Sequence, residues 1–188
     1  RCGYFVGDHF LNPNTYQTLY STIQSMHQDG CFQAAKIGSK QHKTLETTIR
    51  NDRIVWLDET SNNPAIRDYF AMLDLIRTAL NQSLFLGLIS YEAHFAIYPP
   101  NHFYKKHVDQ FANTSDRRIS CVFYLNDDWQ PAHGGELVLY DAADKPSISI
   151  PPLGNRMVCF NSNIAHEVQI THHIRYSIAS WLKVRSIG

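Results

Sequence analysis

His107 and Asp109 stand two residues apart, His166 follows far downstream, and Arg175 comes nine residues after it. Side chains two apart on an extended segment project to the same side, so His107 and Asp109 can grip one ion together. Two imidazoles and one carboxylate hold a metal on one face and leave its other positions open, the arrangement that suits non-haem Fe(II). A guanidinium offers a rigid fork to a carboxylate, so Arg175 adds a place for the far end of a chelating dicarboxylate. Together these residues fit oxidative chemistry that uses Fe(II), 2-oxoglutarate and O2. Each alone has a plainer explanation, because a histidine at a strand start is usually structural and an arginine among apolar residues usually pairs or reaches water. The weight lies in their order and in the strand-like runs around them. The other eight histidines have no such setting, and His172 with His173 is expected in a solvated turn.

Short strands must carry these residues. From Gly87 onward, β-patterned runs over 88–98, 103–107, 118–125, 136–140, 147–150, 156–160, 166–170 and 174–184 alternate with turns rich in Pro, Asn, Asp and Gly. Eight such runs predict a double-stranded β-helix, a jelly-roll or cupin-like double sheet. In the last run Arg175, Ser177, Ala179 and Trp181 share one face, a plausible pocket wall. Upstream, Asn12-Pro13 caps a helix whose stripe of Tyr16, Leu19, Tyr20, Ile23 and Met26 runs until Gly30. A second helix is predicted from Pro64 to about Gln82, with both helices packed on one outer sheet. Two strand candidates, 31–37 and 53–57, flank a polar stretch from Gly38 to Asp52 that reads as a functional loop. The expected organisation is mainly β with flanking α in a single domain over 1–188. Residues 1–86 supply support and the loop, and 87–184 the jelly-roll core.

Composition narrows the classes. At 188 residues and 44% apolar, the chain can bury a core without staples. Lys plus Arg equals Asp plus Glu, 17 each, with no basic stripe, so no nucleic-acid partner is expected. No segment reads as a membrane span or a signal peptide. Cys2, Cys31, Cys121 and Cys159 show no zinc or disulfide spacing, Cys121 and Cys159 read as small core residues, and a cytoplasmic location is expected. The chain opens on Arg1, not Met, which leaves room for an upstream segment.

The run Tyr98-Pro-Pro-Asn-His-Phe-Tyr-Lys-Lys-His-Val-Asp109, then Tyr124-Leu-Asn-Asp-Asp-Trp129, Gly134-Gly-Glu-Leu137, His166-Glu-Val168, Arg175-Tyr176 and Trp181, resembles the prolyl 4-hydroxylases that modify hypoxia-inducible factor and their bacterial relatives. The resemblance extends more weakly to Arg50-Asn-Asp-Arg-Ile-Val-Trp56 and to residues 5–11. It implies that His107, Asp109 and His166 bind iron, that Arg175 binds the distal carboxylate of 2-oxoglutarate, and that the Tyr124 hydroxyl joins it. Tyr98 and Tyr104 match tyrosines lining the site, Arg118 and Trp181 match residues near the target proline, and Arg50 with Asp52 ends the loop that closes on a peptide. The implied reaction is 4-hydroxylation of a prolyl residue, with 2-oxoglutarate decarboxylated to succinate and CO2 and ascorbate as a possible reductant. Bacterial relatives are associated with translation elongation factor Tu, and a monomer is expected. From the residues alone, three alternatives stay open: the same chemistry on a small molecule or free amino acid, a non-catalytic metal-binding sensor or interaction module, and, remotely, a cupin-type isomerase.

Overall fold

A computed structural model of the chain describes residues 3–35, 48–110 and 116–185. The strands among them are β1 (Tyr4–Gly7), β2 (Gln33–Ala34), β3 (Arg53–Trp56), β4 (Ser90–Tyr98), β5 (Tyr104–His107), β6 (Arg117–Tyr124), β7 (Leu137–Tyr140), β8 (Pro146–Ile150), β9 (Met157–Asn161), β10 (His166–Val168) and β11 (Arg175–Lys183). They form a larger antiparallel sheet in the order β1-β9-β6-β11-β4-β3-β2 and a smaller one in the order β5-β10-β7-β8. The predicted double-stranded β-helix is therefore present, with element ends shifted by a few residues. β1 was not anticipated. It is a short edge strand ending on Gly7, with Phe5 half exposed, so it shows little of the alternation that marks a half-buried strand. Of the run expected over 31–37, two residues pair as β2 within the described part of the chain. Residues 38–47 of the expected loop lie outside the described residues, and 48–52 end it alongside β5.

Helices α1 (Pro13–Gln28) and α2 (Pro64–Leu84) start as their sequences dictate. The Asn12 side chain accepts from Thr15 N at 2.9 Å and the Asn63 side chain from Ala65 N at 2.9 Å, each with proline at the first helical position. Both helices cover the outer face of the larger sheet. Leu19, Ile23, Tyr69 and Leu73 pack there against Phe95, Ile97, Phe123, Ile178 and Leu182. The buried Tyr69 hydroxyl finds Ser180 Oγ at 2.7 Å, on the β11 face turned away from the second sheet. Cys121 and Cys159 sit directly opposite each other on β6 and β9 as free thiols 3.3 Å apart.

The inner faces of the two sheets enclose a second cluster: Ala96, Tyr98, Tyr124, Leu137, Leu139, Ile150, Val158, Phe160 and Val168. This inner layer positions the candidate site. Among the described residues, no helix is long and apolar enough to cross a membrane.

Two leucines on one helix measure how far the outer layer depends on packing. Leu73 is fully buried and Leu75 is 71% exposed. Leu73→Ala should lower unfolding stability by about 2 to 5 kcal/mol, whereas Leu75→Ala should change it by less than about 0.5 kcal/mol. Chemical denaturation of the two variants checks both values.

Candidate active site

His107 closes β5 and His166 opens β10, and the antiparallel register sets them directly opposite each other. Asp109 lies just beyond β5, where its backbone N–H donates to Ser162 O at 3.1 Å and turns the carboxylate back toward the two rings. Candidate ligand atoms of His107, Asp109 and His166 all lie within 4.8 Å of one another. Asp109 Oδ1 is 3.6 Å from His107 Nε2, and Oδ2 is 3.5 Å from His166 Nε2.

Each imidazole is oriented by the carbonyl two residues before it. His107 Nδ1 meets Lys105 O at 2.8 Å and His166 Nδ1 meets Ile164 O at 2.9 Å. A carbonyl can only accept, so each Nδ1 carries the proton and each Nε2 presents its lone pair to the cluster. The remaining partner is Ser120, whose hydroxyl donates to Asp109 Oδ2 at 2.7 Å and lies 2.9 Å from Ser162 Oγ. Burial would raise the Asp109 pKa, yet the adjacent His166 and His107 rings and the Ser120 hydroxyl outweigh it and hold the carboxyl below the usual range. One anionic and two neutral donors, with the tautomers set and no competing cation among them, fit a divalent metal.

Further along the inner layer, Arg175 opens β11 opposite Tyr98 and is 1% exposed. Its Nε donates to Gly135 O at 2.9 Å and Nη1 to Ser177 Oγ at 3.3 Å. The guanidinium carbon lies 4.9 Å from the Tyr98 ring centre and 5.0 Å from that of Tyr124. Arg175 Nη2 and the Tyr124 hydroxyl are buried and have no hydrogen-bond partner among the described residues. Two unpaired donors beside a buried cation cost free energy unless an anion completes them, so this corner fits a carboxylate. Gly135 leaves the approach open: at φ +70° any side chain would be strained, and a Cβ would stand 3.1 Å from Arg175 Cδ.

The structure brings the three candidate ligands together, and Tyr98, Tyr124 and Arg175 form a second group on the same inner layer. Tyr104 stacks on His107 with ring centres 3.5 Å apart. Trp181 is nearly buried, with Nε1 lacking a partner among the described residues, and packs near His94 (5.3 Å) and Trp56 (6.4 Å). A register shift pairs Leu182 with Ile119 but Lys183 with Arg117, making Arg118 the extra, exposed residue. Arg117 instead lies 3.7 Å over the Trp181 ring and pairs with Glu92 at 2.6 Å, while Asp116 pairs with Lys183 at 3.0 Å. Arg50 and Asp52 pair with each other at 2.6 Å, Asp52 fully buried. Ser120, Ser162 and Arg117 had not been singled out, since none carries a spacing signal of its own.

Two buried imidazoles make the metal-free fold acid-sensitive. Burial pushes His94 and His166 down to about 4, against an ordinary histidine value near 6.5. Between these values the unfolded chain takes up protons that the folded chain refuses, so stability present above pH 6.5 is lost as the pH falls toward 4. Metal-free protein at pH 5 should be less stable than at pH 7.5 by about 2 kcal/mol per imidazole. His94→Phe should remove about half of that difference in urea titrations at the two pH values.

Residues 93–183 match the model of the 2OG-Fe(II) oxygenase superfamily. A crystal structure of a prolyl-4-hydroxylase from Pseudomonas putida is 34% identical and superposes with a TM-score of 0.87, covering 97% of this chain and 93% of that one. Egl nine homolog 1 of Homo sapiens is 30% identical over 193 residues, 95% of this chain and 43% of that protein. The hypoxia-inducible factor prolyl hydroxylase of Caenorhabditis elegans is 29% identical over 196 residues, 98% of this chain and 27% of that protein. The chain thus spans less than half the length of these two curated relatives. With an open two-histidine, one-carboxylate cluster and a buried arginine corner on one double-stranded β-helix, the chain belongs to the 2-oxoglutarate- and Fe(II)-dependent oxygenases, in the branch of the prolyl 4-hydroxylases.

Proposed function

We propose that this chain hydroxylates the 4-position of a prolyl residue in a protein substrate, consuming 2-oxoglutarate and O2 and releasing succinate and CO2. The observation that carries this reading is the pair of buried, unpartnered donors, Arg175 Nη2 and the Tyr124 hydroxyl, on the same inner layer as the three-ligand cluster. His107, Asp109 and His166 would hold the metal, and Arg175 with Tyr124 would hold the distal carboxylate of 2-oxoglutarate in a charge-assisted clamp. Bound Fe(II) with 2-oxoglutarate and O2 supplies the oxidising power for cleavage of a substrate C–H bond. The protein's share is orientation and the exclusion of water: the His107 and His166 protons stay on Nδ1, Ser120 fixes Asp109, and the apolar inner cluster surrounds the clamp. Tyr98 would flank the cosubstrate, and Trp181, Tyr104 and the rim near Arg118 the peptide.

A protein substrate is favoured by the relatives, one of which is named for action on hypoxia-inducible factor. In this reading the chain works as a monomer in the cytoplasm, with ascorbate as reductant and elongation factor Tu as one candidate substrate.

The reaction is tested by incubating the protein with Fe(II), 2-oxoglutarate, ascorbate and paired peptides that differ only in a proline. The expected outcome is a gain of about 16 Da, one oxygen atom, on the proline-containing member, matched by succinate. Succinate without a mass gain on any peptide would move the substrate to a small molecule, and absence of both would leave a binding module. Replacement of His166 by Ala should abolish succinate formation through loss of a ligand.

The clamp has its own measure. Arg175→Ala should weaken 2-oxoglutarate binding at least tenfold, since each charge-assisted bond is worth about 1.5 to 3 kcal/mol. Arg175→Lys should restore only part of this, because a point charge replaces the fork. Tyr124→Phe should cost several-fold. Calorimetric titration of 2-oxoglutarate into the Mn(II)-loaded protein reads all three.

A further inference from the structure

His107 and His166 are not held equally. The His166 side chain is 6% exposed and meets the Phe160 ring edge-on with centres 4.7 Å apart, inside the inner cluster. The His107 side chain is 16% exposed and lies at the end of an edge strand of the smaller sheet. Among the described residues its Nδ1 meets Lys105 O, which sets the tautomer, and its Nε2 lies 3.6 Å from Asp109 Oδ1. The His166 ring stands 4.2 Å away at a steep angle, whereas the Tyr104 ring lies nearly flat on the imidazole, its centre 3.5 Å away and its plane tilted by 14°.

Tyr104 is backed in turn. The Arg50 guanidinium lies 4.3 Å over the Tyr104 ring, and an imidazole stacked at 3.5 Å leaves room for it only on the opposite face. Arg50 is gripped by Asp52 through two parallel bonds, Nε to Oδ1 at 2.7 Å and Nη2 to Oδ2 at 2.6 Å. Burial by itself would lower the Arg50 pKa, but Asp52 more than compensates and keeps the guanidinium charged. Asp52 is 1% exposed, so the pair points into the protein and away from solvent. The backbone repeats the connection: Arg50 bridges Tyr104 antiparallel, Lys105 N–H donates to Ile49 O at 2.9 Å, and Phe103 N–H to Asn51 Oδ1 at 2.8 Å.

We propose that Asp52, Arg50 and Tyr104 are positioning residues that act in series on His107, a stack of carboxylate, guanidinium, phenol and imidazole that fixes the plane of one metal ligand and ties the metal centre to the chain segment 48–52. Arg50 and Asp52 then serve the site through Tyr104 and make no contact with substrate. The stack rests on the assignment of His107 as a metal ligand made under the proposed function. Its physical sense is that a stacked ring resists tilt without donating or accepting at Nε2, so it stiffens the ligand and leaves the lone pair free.

Co(II) alone, added to the metal-free protein without peptide or 2-oxoglutarate, tests the stack by its dissociation constant and visible absorption spectrum. Arg50→Ala and Tyr104→Leu should each weaken Co(II) binding by about tenfold and alter the absorption bands, in the range seen when partners that orient ligands are lost. Tyr104→Phe keeps the ring and should bind as the parent does. Arg50→Lys keeps the charge but loses the planar fork that Asp52 grips, and should not recover parental binding. A residue that merely supported the fold would lower the thermal midpoint and leave the Co(II) spectrum of the folded protein unchanged. That outcome, or parental affinity in both Arg50→Ala and Tyr104→Leu, overturns the proposal. If Arg50→Ala does not fold, the comparison of Tyr104→Leu with Tyr104→Phe decides alone. If the parent protein binds no Co(II), the metal-ligand assignment falls and the stack with it, whereas parental binding with unaffected variants removes only the stack.

Discussion

Three ligand atoms within 4.8 Å of one another depend on one strand pairing, β10 against β5, with His166 set opposite His107. Successive residues of a strand face opposite ways, so a slip of one position would turn an imidazole out of the space between the sheets. The apolar alternation of β7 and β10 guards the register. Leu137, Leu139 and Val168 point into the inner cluster and can be buried only in the pairing that also points His166 inward. An irregularity between His166 and Val168 then lets Tyr104 and His107, three apart in sequence, both lie on the inner side. The metal site and the hydrophobic inner layer are thus consequences of a single register.

The second constraint is electrostatic. A guanidinium that is 1% exposed has left water, at a cost of several kcal/mol, and among the described residues its hydrogen-bond acceptors are one carbonyl and one hydroxyl. With Nη2 and the Tyr124 hydroxyl unmatched among the described residues, the fold carries an incomplete polar group at its centre. An anion that completes it binds the folded chain and not the unfolded one, so occupancy of the clamp and stability of the fold rise together. The same incompleteness confers selectivity, because a ligand lacking a carboxylate at this end would leave the donors buried and unpaired.

The two halves of the inner layer are braced in different ways. Asp109 and His166 are enclosed by neighbours from the larger sheet and its loops, Ser120, Ser162 and Phe160. His107 is braced from the outside by Tyr104, Arg50 and Asp52. One ligand therefore answers to a segment at the margin of the fold, while the other two answer to its core.

Much of this was legible along the chain. The helix cap at Asn12, the apolar stripes of both helices, the alternating strands, and the spacing of His107, Asp109, His166 and Arg175 are local patterns that the chain shows before it folds. The proposed chemistry of the site could be read because residues suited to holding a metal and a carboxylate are restricted residue types. That Arg117 lies over Trp181 while Arg118 is exposed could not be read from the sequence, because a bulge changes the count of residues without changing their pattern. The serine bond to Asp109, the carbonyl that anchors Arg175 and the stack behind His107 were likewise out of reach. Each joins side chains or backbone groups from separate elements, Arg175 to Gly135 and Arg50 to Tyr104, and only the closing of the two sheets brings such groups within bonding distance.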